Sequence, residues 1–453
     1  MTRHTLIGHL GKIDGTASPS DETVTNVLLG SADGRLEHGV GNVLRDLKEL
    51  GVPATDVGID LLLLAALVHA ADTRVARTTE SQDTWTRELR LVVPVSAPDR
   101  WAACSDLLKT ILSFLTGDIW DLTFVPRASA FTLAIGGRAQ SSSQRAFDQV
   151  SLFSGGLDSL IGGIDAVDAG ANPLFVSHAS EGATSEAQTA CFEGVRTQYA
   201  TPSLARLRAW ISFPEGLVKD VRSENTTRGR SFLFIALGVA AGSGLEQQFV
   251  LEIPENGLIA LNVPLDVLRL GSLSTRTTHP FYLARWNELL RQLGIPALVT
   301  NRYWNRTKGE MAAECRNPSL LQKLVPSSMS CSSPAKARWQ GHGIEHCGYC
   351  VPCLIRRAAI ERAWGRGNDP TTYTVADLSA RPLDTRQAEG QQVRSFQLAA
   401  ARLKAKPGIE RILIHKSGPL RDEEPRLAEL ASVYRRGMDE VGALLANTIA
   451  KPS

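Results

Sequence analysis

The sequence predicts an α/β protein built on a doubly wound parallel sheet. Three observations lead there. From Gln149 onward, apolar strand-like runs alternate with helical stretches, the order that yields parallel strands with helices on both faces. A glycine pair, Gly155-Gly156, stands between the first of these strands and its helix. The 453 residues, 43% hydrophobic and 21% charged, have a globular composition and a length that predicts two or three units.

Residues 1–145 mix helical and strand patterns and predict an α+β extension. Gly41–Leu50 and Gly58–Ala71 read as helices, while Glu88–Val95 and Phe131–Gly136 alternate as half-buried strands. Gly136–Gln144 is small and polar, the composition of a linker. The core, residues 146–373, begins with strand Val150–Phe153, helix Leu160–Ala169 and strand Leu174–Val176. A strand at Ala209–Phe213, a helix at Ser231–Ala241 and a strand at Phe249–Ile253 follow. Ligands on such sheets bind beyond the carboxyl ends of the strands. Residues 374–453 predict a mainly helical C-terminal region, with helices Arg386–Lys404 and Arg426–Ala446 around a short strand at Ile409–His415.

Lys and Arg number 49 against 47 Asp and Glu, a balance that argues against a nucleic-acid partner. The longest apolar runs, Leu61–Val68 and Ser231–Ala241, are too short to span a bilayer. Met1–Gly15 lacks the apolar stretch of a secretory signal. The cysteines are seven, an odd number, and four of them crowd between residues 331 and 353. That distribution predicts a reducing, cytoplasmic setting with no membrane partner.

Ser154-Gly155-Gly156-Leu157-Asp158-Ser159 carries the strongest signal. Adjacent glycines let the backbone turn tightly and bring amide N–H groups close to a ligand. Ser154 and Ser159 add hydroxyls, and the helix that follows adds its positive end, so the turn suits an anion such as pyrophosphate. No lysine follows the glycines, which excludes the GxxxxGK[ST] loop, and GxGxxG is not present.

Cys331 is followed after fifteen residues by Cys347, Cys350 and Cys353 in a C-x₂-C-x₂-C run. Four thiolates make a closed tetrahedral zinc site, with an iron–sulfur cluster as the alternative. His342 and His346 read as spectators, and Cys104, Cys191 and Cys315 as ordinary packing residues. Lys308 opens an expected helix, Lys308–Arg316, and suits the neutralisation of phosphate charge. Arg228 and Arg230 have the planar forks that clamp phosphate or carboxylate. Glu255 and Asn256 follow the fourth core strand, where a carboxylate binds Mg²⁺ or a purine edge, and His178 ends the second.

SGGLDS resembles the SGGxDS loop of the PP-loop ATP pyrophosphatases, which cleave ATP to AMP and pyrophosphate. The resemblance implies a HUP-like core in which Ser154, Gly155, Gly156, Leu157, Asp158 and Ser159 hold the pyrophosphate end of ATP with Mg²⁺. It further implies catalytic roles for Asp158, Ser159, Lys308 and Arg230, and ATP contacts from His178 and Arg228. With the cysteines Cys331, Cys347, Cys350 and Cys353, the chain is similar to the QueC-like 7-cyano-7-deazaguanine synthases. In that family a zinc site of this form closes the catalytic domain and a basic helix follows, here Leu354-Ile355-Arg356-Arg357-Ala358-Ala359. Arg228-Gly229-Arg230-Ser231-Phe232-Leu233 resembles the family's G-R-N-x-x-F-L stretch, and Thr307-Lys308-Gly309-Glu310-Met311 its T-K-x-E segment.

The resemblance covers about residues 148–373. Ser177-His178-Ala179-Ser180 stands in place of the family's D-Y-G-Q motif, and Glu255-Asn256-Gly257 in place of Y-P-D-C-R. The long N-terminal extension is similar to that of the QatC-type branch found in bacterial antiphage systems. Implied are ATP-dependent adenylation of 7-carboxy-7-deazaguanine and transfer to a nitrogen acceptor, a protein amine of an antiphage operon. The implied cofactors are ATP, Mg²⁺ and Zn²⁺. Ammonia-dependent formation of 7-cyano-7-deazaguanine and a non-catalytic nucleotide-binding subunit are the alternatives.

Overall fold

The computed structural model describes the chain except residues 1–2, 12–21, 32–33, 83, 128–146, 180–181, 201–202, 225, 267–275, 335–344 and 453. The expected strand at 131–136 and the linker at 136–144 lie outside the described residues.

Strands β1 (Arg3–Leu10), β2 (Glu22–Gly30), β3 (Glu88–Val95) and β4 (Ile119–Pro126) form one sheet in the order β2-β1-β3-β4. Every pairing in it is parallel, so the N-terminal unit is α/β and not the α+β extension expected. The reason lies in the connections: helices carry the chain from β2 to β3 and from β3 to β4, and a parallel pair needs such a crossover. The longer helices are α1 (Val40–Glu49), α2 (Asp56–Arg74) and α3 (Ser105–Thr116), with short helical turns at Arg77–Glu80 and Pro98–Ala103. In β3 the alternation read from sequence holds, with Leu89, Leu91, Val93 and Val95 buried.

Helix α2 is capped by Thr55, whose hydroxyl accepts from the Gly58 amide at 3.4 Å. It is buried around its whole circumference from Gly58 to Thr73, as a helix must be when apolar material lies on both sides. One side packs on β3 and the other on a helix of the second sheet.

That second sheet contains β5 (Gln149–Leu152), β6 (Pro173–His178), β7 (Ala205–Ala209), β8 (Phe249–Glu252) and β9 (Ala297–Thr300). Its order is β7-β6-β5-β8-β9 and all pairings are parallel. Helices α4 (Leu157–Asp168), α5 (Gly182–Tyr199), α6 (Arg230–Ser243), α7 (Pro280–Gln292), α8 (Lys308–Ala313), α9 (Pro318–Leu324) and α10 (Val351–Trp364) accompany it. Helix α6 packs against β5, β6 and β8 and against α2. A Cβ on Gly58 would lie 2.4 Å from Ser243 Oγ, so the small residue sets how closely α2 and α6 approach. One continuous apolar core therefore runs from Leu6, Val27 and Leu91 through α2 to Leu233, Val150 and Leu251. The opposite face of β5 and β6 packs a separate cluster around Phe153, Leu160, Phe175 and Phe192.

The strand expected at 209–213 is displaced: β7 ends at Ala209. Ile211 and Phe213 are buried in an irregular segment instead, and the Ser212 amide donates to His38 O across the junction with the N-terminal unit. Helix α8 stops at Ala313 rather than 316, where the Arg316 amide is drawn to Asp165 Oδ1 at 2.8 Å.

The C-terminal region adds α11 (Ala388–Ala405), α12 (Leu427–Leu444) and a short parallel pair, β10 (Leu383–Asp384) with β11 (Ala450–Lys451). The expected strand at 409–415 is a helical turn, Glu410–Leu413, followed by a 3₁₀ turn over Ile414–Lys416. Only Leu413 and Ile414 of its apolar residues are buried; adjacent buried positions suit a turn packed on α12, not a strand with alternating faces. Phe396, Leu430 and Tyr434 close a third core with Leu354 and Ala358 of α10. Among the described residues no helix is long and apolar enough to cross a membrane.

Candidate active site and metal centre

Strand β5 delivers the chain into the glycine turn at the middle of the sheet, between β6 and β8. The chain returns past β5 to form β8, so the crevice between the ends of β5 and β8 is a topological switch point. Gly155 has φ +78°, and a Cβ there would stand 2.7 Å from the Gln188 amide nitrogen of α5. Both the left-handed backbone and the close approach require glycine. Helix α4 starts at Leu157 with Gly156 as its N-cap and no cap from that residue's side chain. The Leu157 amide donates to Ser330 Oγ, and the amides that follow it stand at the positive helix start that favours an anion. Ser154 is exposed at the mouth of the turn. Ser159 Oγ lies 3.1 Å from Ser154 Oγ and donates to Gly156 O at 3.0 Å.

Asp158 is buried beneath the turn. Its Oδ2 accepts from the Asn256 side-chain amide at 2.8 Å and backbone amide at 3.2 Å. Its Oδ1 faces Lys308 Nζ at 3.1 Å and takes no hydrogen bond besides. The sequence thus brings residues 150 positions apart into one buried ion pair. Lys308 opens α8 through a capping box, in which Thr307 Oγ1 accepts from the Glu310 amide and Glu310 from the Thr307 amide. Glu440, from α12, also holds this corner: Thr307 Oγ1 and the Gly309 amide both donate to its carboxylate. Burial pushes the Glu440 carboxyl up to about 7, opposed by the Thr307 hydrogen bond. Glu255 stands at the same strand ends, with Thr278 Oγ1 donating to its Oε2. Burial, and secondarily the Asp158 charge, push it up to about 7.

Arg230 begins α6, and its Nη2 donates to His178 O at 3.2 Å. The same carbonyl accepts from Gln188 Nε2, which also reaches Ser154 O, so Arg230 lies beside the glycine turn. The His178 ring is turned elsewhere. It is buried edge-on to His69 of α2 at 5.7 Å. Burial, with Arg230 and His69 nearby, lowers it to about 3, so the imidazole stays neutral. The ring therefore does not face the glycine turn as an ATP contact would; only the His178 backbone carbonyl reaches that side, where it accepts from Arg230 and Gln188. Arg228 is also redirected: its guanidinium stacks 4.1 Å over Trp85 and donates to Thr116 O, in the N-terminal unit. There it adjoins a buried network in which Arg77 and Arg87 hold Asp72 and Asp118.

The sulfurs of Cys331, Cys347, Cys350 and Cys353 lie within 4.8 Å of one another, close enough together to hold one metal ion. Cys331–Cys350 and Cys347–Cys353 are each 3.9 Å apart. A tetrahedral zinc with Zn–S of about 2.3 Å places its sulfurs about 3.8 Å apart, so the donor set fits. A multi-iron cluster interposes several atoms and would hold the thiolates further apart. Backbone amides of Ser333 and Cys347 donate to Cys331 Sγ and that of Cys350 to Cys347 Sγ, which orients these sulfurs and offsets thiolate charge. His346 Nε2 instead accepts from the Ser330 amide at 3.1 Å, and His342 lies outside the described residues.

The metal centre and the glycine turn share a segment, 328–331. The Met329 amide donates to Gly155 O at 2.8 Å, and the Leu157 amide to Ser330 Oγ at 3.3 Å. Arg356, wholly buried on α10, fixes that segment by donating to Ser328 Oγ, Ser330 Oγ and Val325 O. Sequence reasoning singled out Arg356 only as part of the basic helix after the cysteines and missed Gln188, Ser330 and Glu440, because each meets a segment distant in sequence and none belongs to a spaced motif. Comparison with protein-family models, curated proteins and solved structures finds no match to this chain.

Proposed function

We propose that the chain is an ATP-dependent ligase of the PP-loop class. It adenylates a carboxylate, that of 7-carboxy-7-deazaguanine, and passes the acyl group to a nitrogen acceptor. The observation that carries this reading is the SGGLDS turn at the switch point, where a helix begins above the Asp158–Lys308 pair. The substrate carboxylate attacks the α-phosphorus of ATP, and pyrophosphate leaves toward the amides of the turn. Lys308 and Arg230 offset the negative charge as it develops.

Mg²⁺ would neutralise phosphate charge and arrives with the nucleotide. The cysteines hold zinc in a structural role, anchoring the 328–331 segment against which the turn rests. A nitrogen nucleophile then displaces AMP. The long N- and C-terminal regions favour a protein amine, of an antiphage partner, over free ammonia.

ATP–pyrophosphate exchange tests the reading. Exchange should depend on the deazapurine acid and disappear in Asp158→Ala, and intact-mass spectrometry of a co-expressed partner should show one added acyl group. ATP binding without exchange would leave a nucleotide-binding subunit. Release of 7-cyano-7-deazaguanine from ammonia, with the partner's mass unchanged, would make the chain a nitrile synthase.

A further inference from the structure

A nitrogen nucleophile attacking an acyl adenylate must lose a proton, and the loop chemistry leaves that proton without an acceptor. Asp158 is held by Lys308 and Asn256. Glu252, at the end of β8, is engaged by the Arg302 amide and guanidinium. The His178 ring is sealed against His69. Glu255 differs from all three. It follows β8 at the switch point, remains partly accessible, and makes no ion pair among the described residues. Its backbone is fixed by Asn301, whose side chain donates to Glu255 O at 2.7 Å. Its Oε2 is oriented by the Thr278 hydroxyl.

We propose that Glu255 is the base that takes the proton from the attacking nitrogen in the second half-reaction. The proposal rests on the adenylation reading above. The nitrogen lone pair forms the bond to the acyl carbon, the carbon–oxygen bond to AMP breaks, and its electron pair leaves with AMP. The nitrogen's proton passes to the Glu255 carboxylate and from there to solvent; nothing is oxidised or reduced.

A base of this kind works best when its pKa lies near the working pH, and burial raises Glu255 to about 7. The charged groups facing it are Asp158, from the β5 turn, which raises it further, and Lys308, from α8, which opposes. Thr278 and Asn301 contribute uncharged contacts.

The test uses the full chain with ATP, 7-carboxy-7-deazaguanine and ammonia. In Glu255→Gln, the ratio of ammonia-dependent AMP release to ATP–pyrophosphate exchange should fall about 100-fold or more. Expressed per unprotonated ammonia, whose own share climbs with pH, wild-type transfer should rise as pH passes about 7, and Glu255→Gln should lose that limb. Thr278→Val removes a donor that stabilises the carboxylate, so its limb should move to higher pH, a readout that survives if Glu255→Gln misfolds. An equal fall in exchange and transfer, or a raised KM for the acid with kcat retained, would overturn the proposal in favour of a binding role. A Thr278→Val limb at the wild-type pH would also overturn it. Wild-type protein without exchange for any acid would instead remove the adenylation reading itself, before any variant is compared.

Discussion

Lys308→Met should destabilise the protein by about 3 kcal/mol, and Asp158→Asn in the same chain should restore part of that loss. Lys308 and Asp158 are 6% and 8% exposed, with Nζ 3.1 Å from Oδ1. At an effective dielectric constant of about 20, charges at that separation attract by about 5 kcal/mol. Desolvation of both ions offsets much of this, but removing one partner strands the other, which costs about 3–5 kcal/mol. Among the described residues Asp158 Oδ1 has no other hydrogen-bond donor to fall back on. The double variant strands neither charge, so the coupling energy should be about 1.5 kcal/mol or more. Urea unfolding of the wild type, both single variants and the double variant measures it. Additivity within about 0.5 kcal/mol, or a Lys308→Met protein more stable than wild type, would refute the reasoning.

Purified protein should contain one zinc per chain by elemental analysis, and Cys350→Ser should lose both the metal and the cooperative unfolding of the surrounding segment. Gly155→Ala should cost about 2 kcal/mol, because a Cβ there meets the Gln188 backbone in a left-handed conformation, and should weaken nucleotide binding measured by calorimetry. Glu440 has a raised folded pKa of about 7, so its stabilising contribution is full below the ordinary carboxylate range and is lost as pH rises through 7. Glu440→Gln should therefore gain stability relative to wild type as pH climbs from 5 to 8, by at most about 3 kcal/mol, in paired thermal melts.

The glycine turn and the cysteine run were legible because local chemistry dictates them. Gly155 is needed where φ is positive, and thiolates spaced C-x₂-C-x₂-C form a site whatever surrounds them. Asp158–Lys308 was half legible: each residue stood out, but their pairing depends on how α8 is delivered to the end of β5. Arg228 and His178 were misread because strand and helix ends show where a residue sits and not which way its side chain turns. Both turn toward the N-terminal unit, whose parallel sheet stacks on α6 through α2. Nothing in residues 1–145 read alone signals that stacking, beyond the unbroken apolar run of Leu61–Val68. The 409–415 segment failed for a related reason, since a short apolar run suits a strand or a buried turn equally.

Helix α2 also constrains how this protein is made. Its second apolar face finds its partner, α6, only after roughly 150 further residues have been synthesised. At about 5–20 residues per second, the wait is on the order of ten seconds or more. During that interval the finished N-terminal sheet carries a nascent greasy flank with Leu61 to Val68 along it, a surface for trigger-type chaperones or for premature self-association. Slowing translation between β4 and α6 should therefore lower soluble yield, whereas the same slowing after α6 should not.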